Sequence, residues 1–261
     1  CLLSNCIMNF LRASLRLLSL FLVLIALFVL WMPGDLLLRT TGRDTISWRA
    51  NVLRFWGRVA APIMGLRITV EGTPPQMPFC LVANHLSYVD VLLMQFTTGG
   101  ILLSKAEVAS WPIVGALSAR IGTLFIDRTM RRDVVRVNQL IENTLAAGDG
   151  IVFFPEGTTG DGKSVRRFNS SLLNYPAQTS YPVHYAAISY SSKHVDPADR
   201  ICWWADMTFS DHFWKLLQIP SFEATIVFGP ESVTEVDRKV LTLTLKQRIE
   251  DIFTPSTRRL R

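Results

Sequence analysis

The chain has no cysteine framework, no internal repeat and no low-complexity tract. Its four cysteines, Cys1, Cys6, Cys80 and Cys202, make no C-x-x-C pair. A disulfide scaffold and a zinc ribbon are thereby excluded, and free thiols in a reducing compartment are the plain reading. His184, His194 and His212 lack ligand-like spacing, so no metal is expected. The net charge is +6, yet no Lys/Arg block is interleaved with aromatics and no zinc-finger or RNP-type pattern occurs. Nucleic acid is therefore not an expected partner, and the charge suits an anionic membrane surface or a phosphate-bearing ligand.

Charge is scarcest near the N-terminus. Leu17 to Gly34 (LLSLFLVLIALFVLWMPG) holds no charged residue, and its length of about 18 residues is near the lower limit for crossing a bilayer. No A-x-A-like cleavage site follows it. Pro33-Gly34 is expected to end the helix or turn it back. Arg12 and Arg16 precede the run, and Arg39, Arg43, Arg49, Arg54 and Arg58 follow it; the excess on the C-terminal side argues that the rest of the chain stays cytoplasmic. The next stretch, Ser47 to Leu66, mixes Arg with Trp48, Phe55 and Trp56. It reads as an interfacial amphipathic helix or as a helix packed on the domain. Residues 1–70 are thus expected to form a V-shaped anchor in the cytoplasmic leaflet of the inner membrane, and residues 71–261 the folded domain.

From Phe79 onward short apolar runs alternate with helical stretches. Strands are expected at 79–84, 101–105, 122–127, 151–156, 182–189, 201–206 and 223–229. Helices are expected at 88–96, 112–119, 131–147 and 237–252, and a polar loop at 196–200. Several strand runs are continuously rather than alternately apolar, which implies burial on both faces. The fold class is α/β, a mixed sheet flanked by helices.

Three segments carry chemistry. The first is N-H-L-S-Y-V-D, Asn84 to Asp90, in which His85 leaves a buried strand and Asp90 opens a helix. A neutral imidazole accepts a proton near neutral pH, and a carboxylate beside it fixes its tautomer. A substrate hydroxyl needs such a base because its own pKa is high; a capping Asp and a packed His fit the same letters. The second is Gly122 to Arg128 (GTLFIDR), where Arg128 grips a phosphate or pairs with Asp127. The third is I-V-F-F-P-E-G-T-T-G, Ile151 to Gly160, with Glu156 at a strand end among glycines and hydroxyls, suited to hydroxyl recognition or to an ordinary turn.

Together these segments resemble the 1-acylglycerol-3-phosphate acyltransferase family, with its N-H-x4-D, G-x-x-F-I-x-R and F-P-E-G-T blocks and a later proline block, here Tyr181 to Val183. Ser104 to Val108 (SKAEV) resembles the family's K-x-E segment. The likeness covers about residues 78 to 190. It implies a glycerol-phosphate-acyltransferase-like fold and acyl transfer without an acyl-enzyme, with His85 as base and Asp90 as its partner. It implies no cofactor beyond acyl-CoA or acyl-carrier protein as co-substrate, and a lysophosphatidic acid acceptor. Arg128, Glu156, Gly157, Thr158 and Thr159 are its acceptor-binding positions. Lys105, Arg166 and Arg167 are weaker candidates for donor or phosphate contact. The family often has arginine after E-G-T, where this chain has Thr159. E-G-T-T-G-D-G also resembles lyso-ornithine lipid acyltransferases, which stand as the alternative. A non-catalytic membrane lipid-binding protein is the alternative of another class, and intact His85, Asp90 and Glu156 argue against it.

Overall fold

The computed structural model describes residues 2–111, 114–127 and 130–258. Its helices in chain order are α1 (Leu2–Thr40), α2 (Ile46–Met64), α3 (Val89–Thr98), α4 (Val114–Arg120), α5 (Arg131–Ala146), α6 (Asn174–Thr179), α7 (Pro197–Arg200), α8 (Phe209–Leu217) and α9 (Arg238–Ile252). Its strands are β1 (Leu66–Glu71), β2 (Phe79–Ala83), β3 (Ile101–Lys105), β4 (Leu124–Ile126), β5 (Gly150–Phe153), β6 (Val183–Ser192), β7 (Phe222–Phe228) and β8 (Thr257–Arg258).

The strands lie in the order β1-β7-β6-β2-β5-β3-β4, with β8 paired to β6. β6 and β7 are antiparallel, and the other pairs are parallel. β2 and β5 at the centre are buried at every position, as their unbroken apolar runs require when helices cover both faces. The period of two splits β2 between two cores: Leu81 and Ala83 join a layer with Leu93 and Phe222, while Cys80 and Val82 join a layer with Ile141 and Leu245. Truncating a side chain here to alanine costs about 2–5 kcal/mol.

β1 crosses the expected boundary between residues 70 and 71 and pairs with β7 along its length, so the sheet takes in the chain from Leu66. Three other expectations are corrected. Residues 201–206 form no strand. The amides of Ile201 and Cys202 both reach Pro197 O, at 3.0 and 2.8 Å, and that of Trp203 reaches Leu86 O at 2.8 Å, leaving no ladder to join. Residues 197–200 form the short helix α7, capped by Asp196 accepting from the Ala198 N–H, rather than a loop. α1 does not end at Pro33-Gly34 but continues to Thr40. Trp48 of α2 lies where a Cβ on Gly34 would be, 2.5 Å from its ring, so the glycine admits the second helix instead of stopping the first.

α2 is a helix packed on the domain. Ala50, Leu53, Gly57, Ala60, Ala61 and Met64 are buried. Its arginines are largely spent inward. Arg49 pairs with Asp149 at 2.6 Å and Arg54 donates to Thr98 O at 2.7 Å. Phe55 alone of its three aromatics is exposed as a large hydrophobic, at 53 %.

Candidate functional site

β2 ends at Ala83, and the chain must leave the sheet without stripping β6 of its partner. Asn84 solves this with its side chain. Its carboxamide donates to Ile188 O at 2.9 Å and accepts from Ile188 N at 2.7 Å, a ladder step made by a side chain. Losing it would leave two buried backbone groups unpaired, at about 1–3 kcal/mol each. The backbone of residue 85 is thereby free to turn, and it is pinned on both sides: the His85 N–H donates to Glu156 Oε1 at 3.2 Å, and the Gly160 N–H donates to His85 O at 2.8 Å.

Asp90 lies in the first turn of α3 and is fully buried. Its Oδ2 receives the His85 ring Nδ1 at 2.8 Å and the amides of Leu86 and Ser87 at 2.6 and 3.0 Å. Its Oδ1 receives the Tyr190 hydroxyl at 2.5 Å. The two amides and the hydroxyl donate to this carboxylate, and an ionised carboxylate only accepts. The Nδ1 contact therefore carries the ring proton, and the Nε2 lone pair is left open. Phe154 fixes the imidazole plane, stacked at 4.0 Å between centroids and 7° between planes. The His85 side chain remains 19 % exposed beside the buried Asp90.

That exposure opens onto a cavity of about 450 Å³, walled by His85 and Phe154, by Gly157 to Thr159, and by the rings of Tyr88, Trp111, Trp203 and Phe209. The size suits a small organic ligand or part of a lipid chain. An imidazole with a carboxylate behind it and an apolar hollow before it can take a proton from a hydroxyl held there and stabilise the charge it gains.

A family model described as Acyltransferase matches residues 67–189. The lyso-ornithine lipid O-acyltransferase of Pseudomonas aeruginosa is 33% identical over 180 residues, 69% of each chain. The 1-acyl-sn-glycerol-3-phosphate acyltransferase of Neisseria gonorrhoeae is 27% identical over 206 residues, 78% of each. This chain belongs to the acyltransferase family. The crystal structure of the 1-acyl-sn-glycerophosphate acyltransferase of Thermotoga maritima has the same fold, with a TM-score of 0.65 at 20% identity, over 94% of this chain and 97% of that one.

Within this acyltransferase, Gly157, Thr158, Thr159 and Lys105 line the same cavity as His85. Gly157 turns at φ 77°, a left-handed conformation that favours glycine. Glu156 sits behind the wall, bonded to the His85 amide, and burial pushes its carboxyl up to about 8, opposed by the His85 and Arg166 amides. It is therefore mainly neutral at pH 7. Arg166 is exposed, with its stem about 3.2 Å from where a Cβ on Gly160 would lie; Arg167 is exposed beyond it and does not line the cavity. Arg128 lies outside the described residues. Sequence reasoning assigned no role to Asn84, Phe154 or Tyr190. The first two stand inside quoted motifs and were legible as neighbours of the charged positions. Tyr190 is 100 residues from Asp90 and had no local signal.

Proposed function

We propose that the protein moves an acyl group from a thioester donor to the free hydroxyl of a lysolipid, with His85 as general base. What supports this reading is the imidazole of His85, held through Nδ1 by Asp90, in the wall of the cavity. The acceptor hydroxyl gives its proton to His85 Nε2 as its oxygen bonds to the thioester carbonyl carbon. The intermediate then collapses, the C–S bond breaks, and the departing thiolate recovers that proton. A base of this kind contributes about 10²–10⁴-fold. Asp90 holds the tautomer and Glu156 holds the loop. Thr158 and Thr159 offer hydroxyls to the acceptor head. Acyl-CoA and acyl-carrier protein are both accepted donors in this reading.

The acceptor is of the lyso-ornithine type. Thr159 stands where a phosphate-binding cation is expected, and the relative named for lyso-ornithine lipid is the more similar of the two, 33% against 27%. Side-by-side assay with lyso-ornithine lipid and lysophosphatidic acid tests this. Lyso-ornithine lipid should have the higher kcat/KM, and Thr159→Arg should move the ratio several-fold toward the phosphate. Preference for lysophosphatidic acid in the unaltered protein would reverse the assignment.

The site works at the inner face of a membrane. Within α1, an 18-residue window of Ser4–Thr40 reaches a mean hydropathy of 2.6, and the helix is long enough to cross a bilayer. Its two halves, however, are tied to one body. Arg12 and Arg16 donate to the carbonyls of Leu217, Gln218, Ile219 and Pro220, and Trp31 O accepts from Trp48 of α2 at 3.4 Å. A helix held at both ends to one side of the bilayer lies in a single leaflet, with Phe21, Leu22, Val29, Leu30 and Leu36 toward lipid.

A further inference from the structure

One side chain of the cavity has no place in this scheme. Tyr88, the N-cap of α3, and Val91 and Gln95 of the helix line the hollow, at positions spaced three and four apart on one face. Gln95 is only 6 % exposed, and that remainder faces the cavity. Its carboxamide meets no hydrogen-bonding partner among the described residues. Two donors and an acceptor thus stand unpaired beside Leu102 and Leu103, which are 4 % exposed. Ser118 of α4 and Thr123, just before β4, line the same cavity and bring hydroxyls that also lack described partners. The cavity thus sets polar side chains among aromatic and aliphatic walls.

A hydrocarbon chain filling this space would strip water from the carboxamide and return nothing for it, which is the costly arrangement for a buried polar group. A chain with a hydroxyl at that depth would satisfy it. We propose that Gln95 is a specificity-determining residue that selects acyl donors hydroxylated near mid-chain. From Tyr88 to Gln95 the helix rises ~10 Å. An extended chain covers that in roughly nine bonds, at about 3.5 Å for every three. With the thioester carbonyl placed beside His85 and Tyr88, the recognised hydroxyl lies around the tenth carbon, while one on the third carbon falls short. This rests on the acyl-transfer reading of the His85 site and adds the donor class to it.

The test uses the full chain in detergent or vesicles with a single lysolipid acceptor. Octadecanoyl-, 3-hydroxyoctadecanoyl- and 10-hydroxyoctadecanoyl-CoA compete pairwise. The unaltered protein should use the 10-hydroxy donor with a kcat/KM on the order of tenfold above the unsubstituted one. Gln95→Met, of similar length and without the amide, should abolish or invert that ratio and leave the 3-hydroxy to unsubstituted ratio unmoved. The inference falls if the unaltered protein shows no 10-hydroxy preference, a result that needs no variant and does not depend on Gln95→Met folding. It falls also if Gln95→Met keeps the preference. Transfer of all three donors at equal rates would overturn the inference alone, whereas transfer of none would overturn the acyl-transfer reading with it.

Discussion

The corner between β2 and α3 and the outer face of α1 treat water in opposite ways. At the corner, polar groups are buried and matched: Asn84 with Ile188, His85 with Asp90 and Glu156, Asp90 with Tyr190. Along α1, large apolar side chains are left open, Leu30 at 69 %, Leu36 at 64 % and Val29 at 60 %, with few polar bonds near them. The apolar face alone would be a defect in a protein surrounded only by water. Together they set chemistry in a corner of bonded polar side chains apart from a helix whose outer face stays apolar.

The strongest way to break that contrast is at its polar end. His85→Ala should lower kcat by about 10²–10⁴-fold and leave vesicle binding intact, measured by thiol release from acyl-CoA and by co-sedimentation. Unchanged turnover would remove His85 from the mechanism. At the apolar end, Leu22→Glu with Val29→Glu and Leu36→Glu should weaken vesicle partition by about 10³-fold or more, since each side chain otherwise gains about 1.5–3 kcal/mol on leaving water. Turnover of a detergent-dispersed acceptor should persist. Partition unaffected by the three charges would mean that α1 faces something other than lipid.

The two regions were unequally legible. α1 could be found from hydropathy alone, and β2 and β5 from unbroken apolar runs, because those signals are local. The corner's letters were visible, but not the bonds that organise them, since Ile188 and Tyr190 arrive from a strand about a hundred positions away. Residues 201–206 misled for a related reason. Their apolar and aromatic content suits a strand, but Ile201 and Cys202 plug a core while Trp203 and Trp204 wall the cavity. The arginines around α1 and α2 resembled membrane-facing charge, yet Arg16 and Arg49 are bonded inside the protein. A side chain's type does not say which of two partners it meets.

Tyr190→Phe sharpens the comparison by removing a single bond from the corner. Asp90 would keep His85 and two amides but lose the donor on Oδ1. Its charge would then be less dispersed and would favour the imidazolium more, so the acid limb of the pH–rate profile should move upward. kcat should fall by roughly tenfold, the scale of one lost bond to a charged group. A drop in Tm without movement of the limb would make Tyr190 a packing residue only.

The smallest effect is expected at Glu156, where burial and pH meet. The folded protein keeps this carboxyl protonated up to about 8, against an ordinary value of 4.5. Between those values the unfolded chain has released the proton and the folded chain has not. The folded state therefore binds more protons, and stability declines as pH rises through that window, by up to ~1.4 kcal/mol per unit. Below 4.5 both states are protonated, and above 8 both have let go, so the decline stops at each end. Glu156→Gln keeps the shape of the neutral acid and an oxygen for the His85 amide. It should change turnover at pH 7 by only a few-fold, while flattening the dependence of Tm on pH between 5 and 8. A pH slope that survives the substitution would place its source elsewhere, and Glu156 would then be ionised in the folded protein.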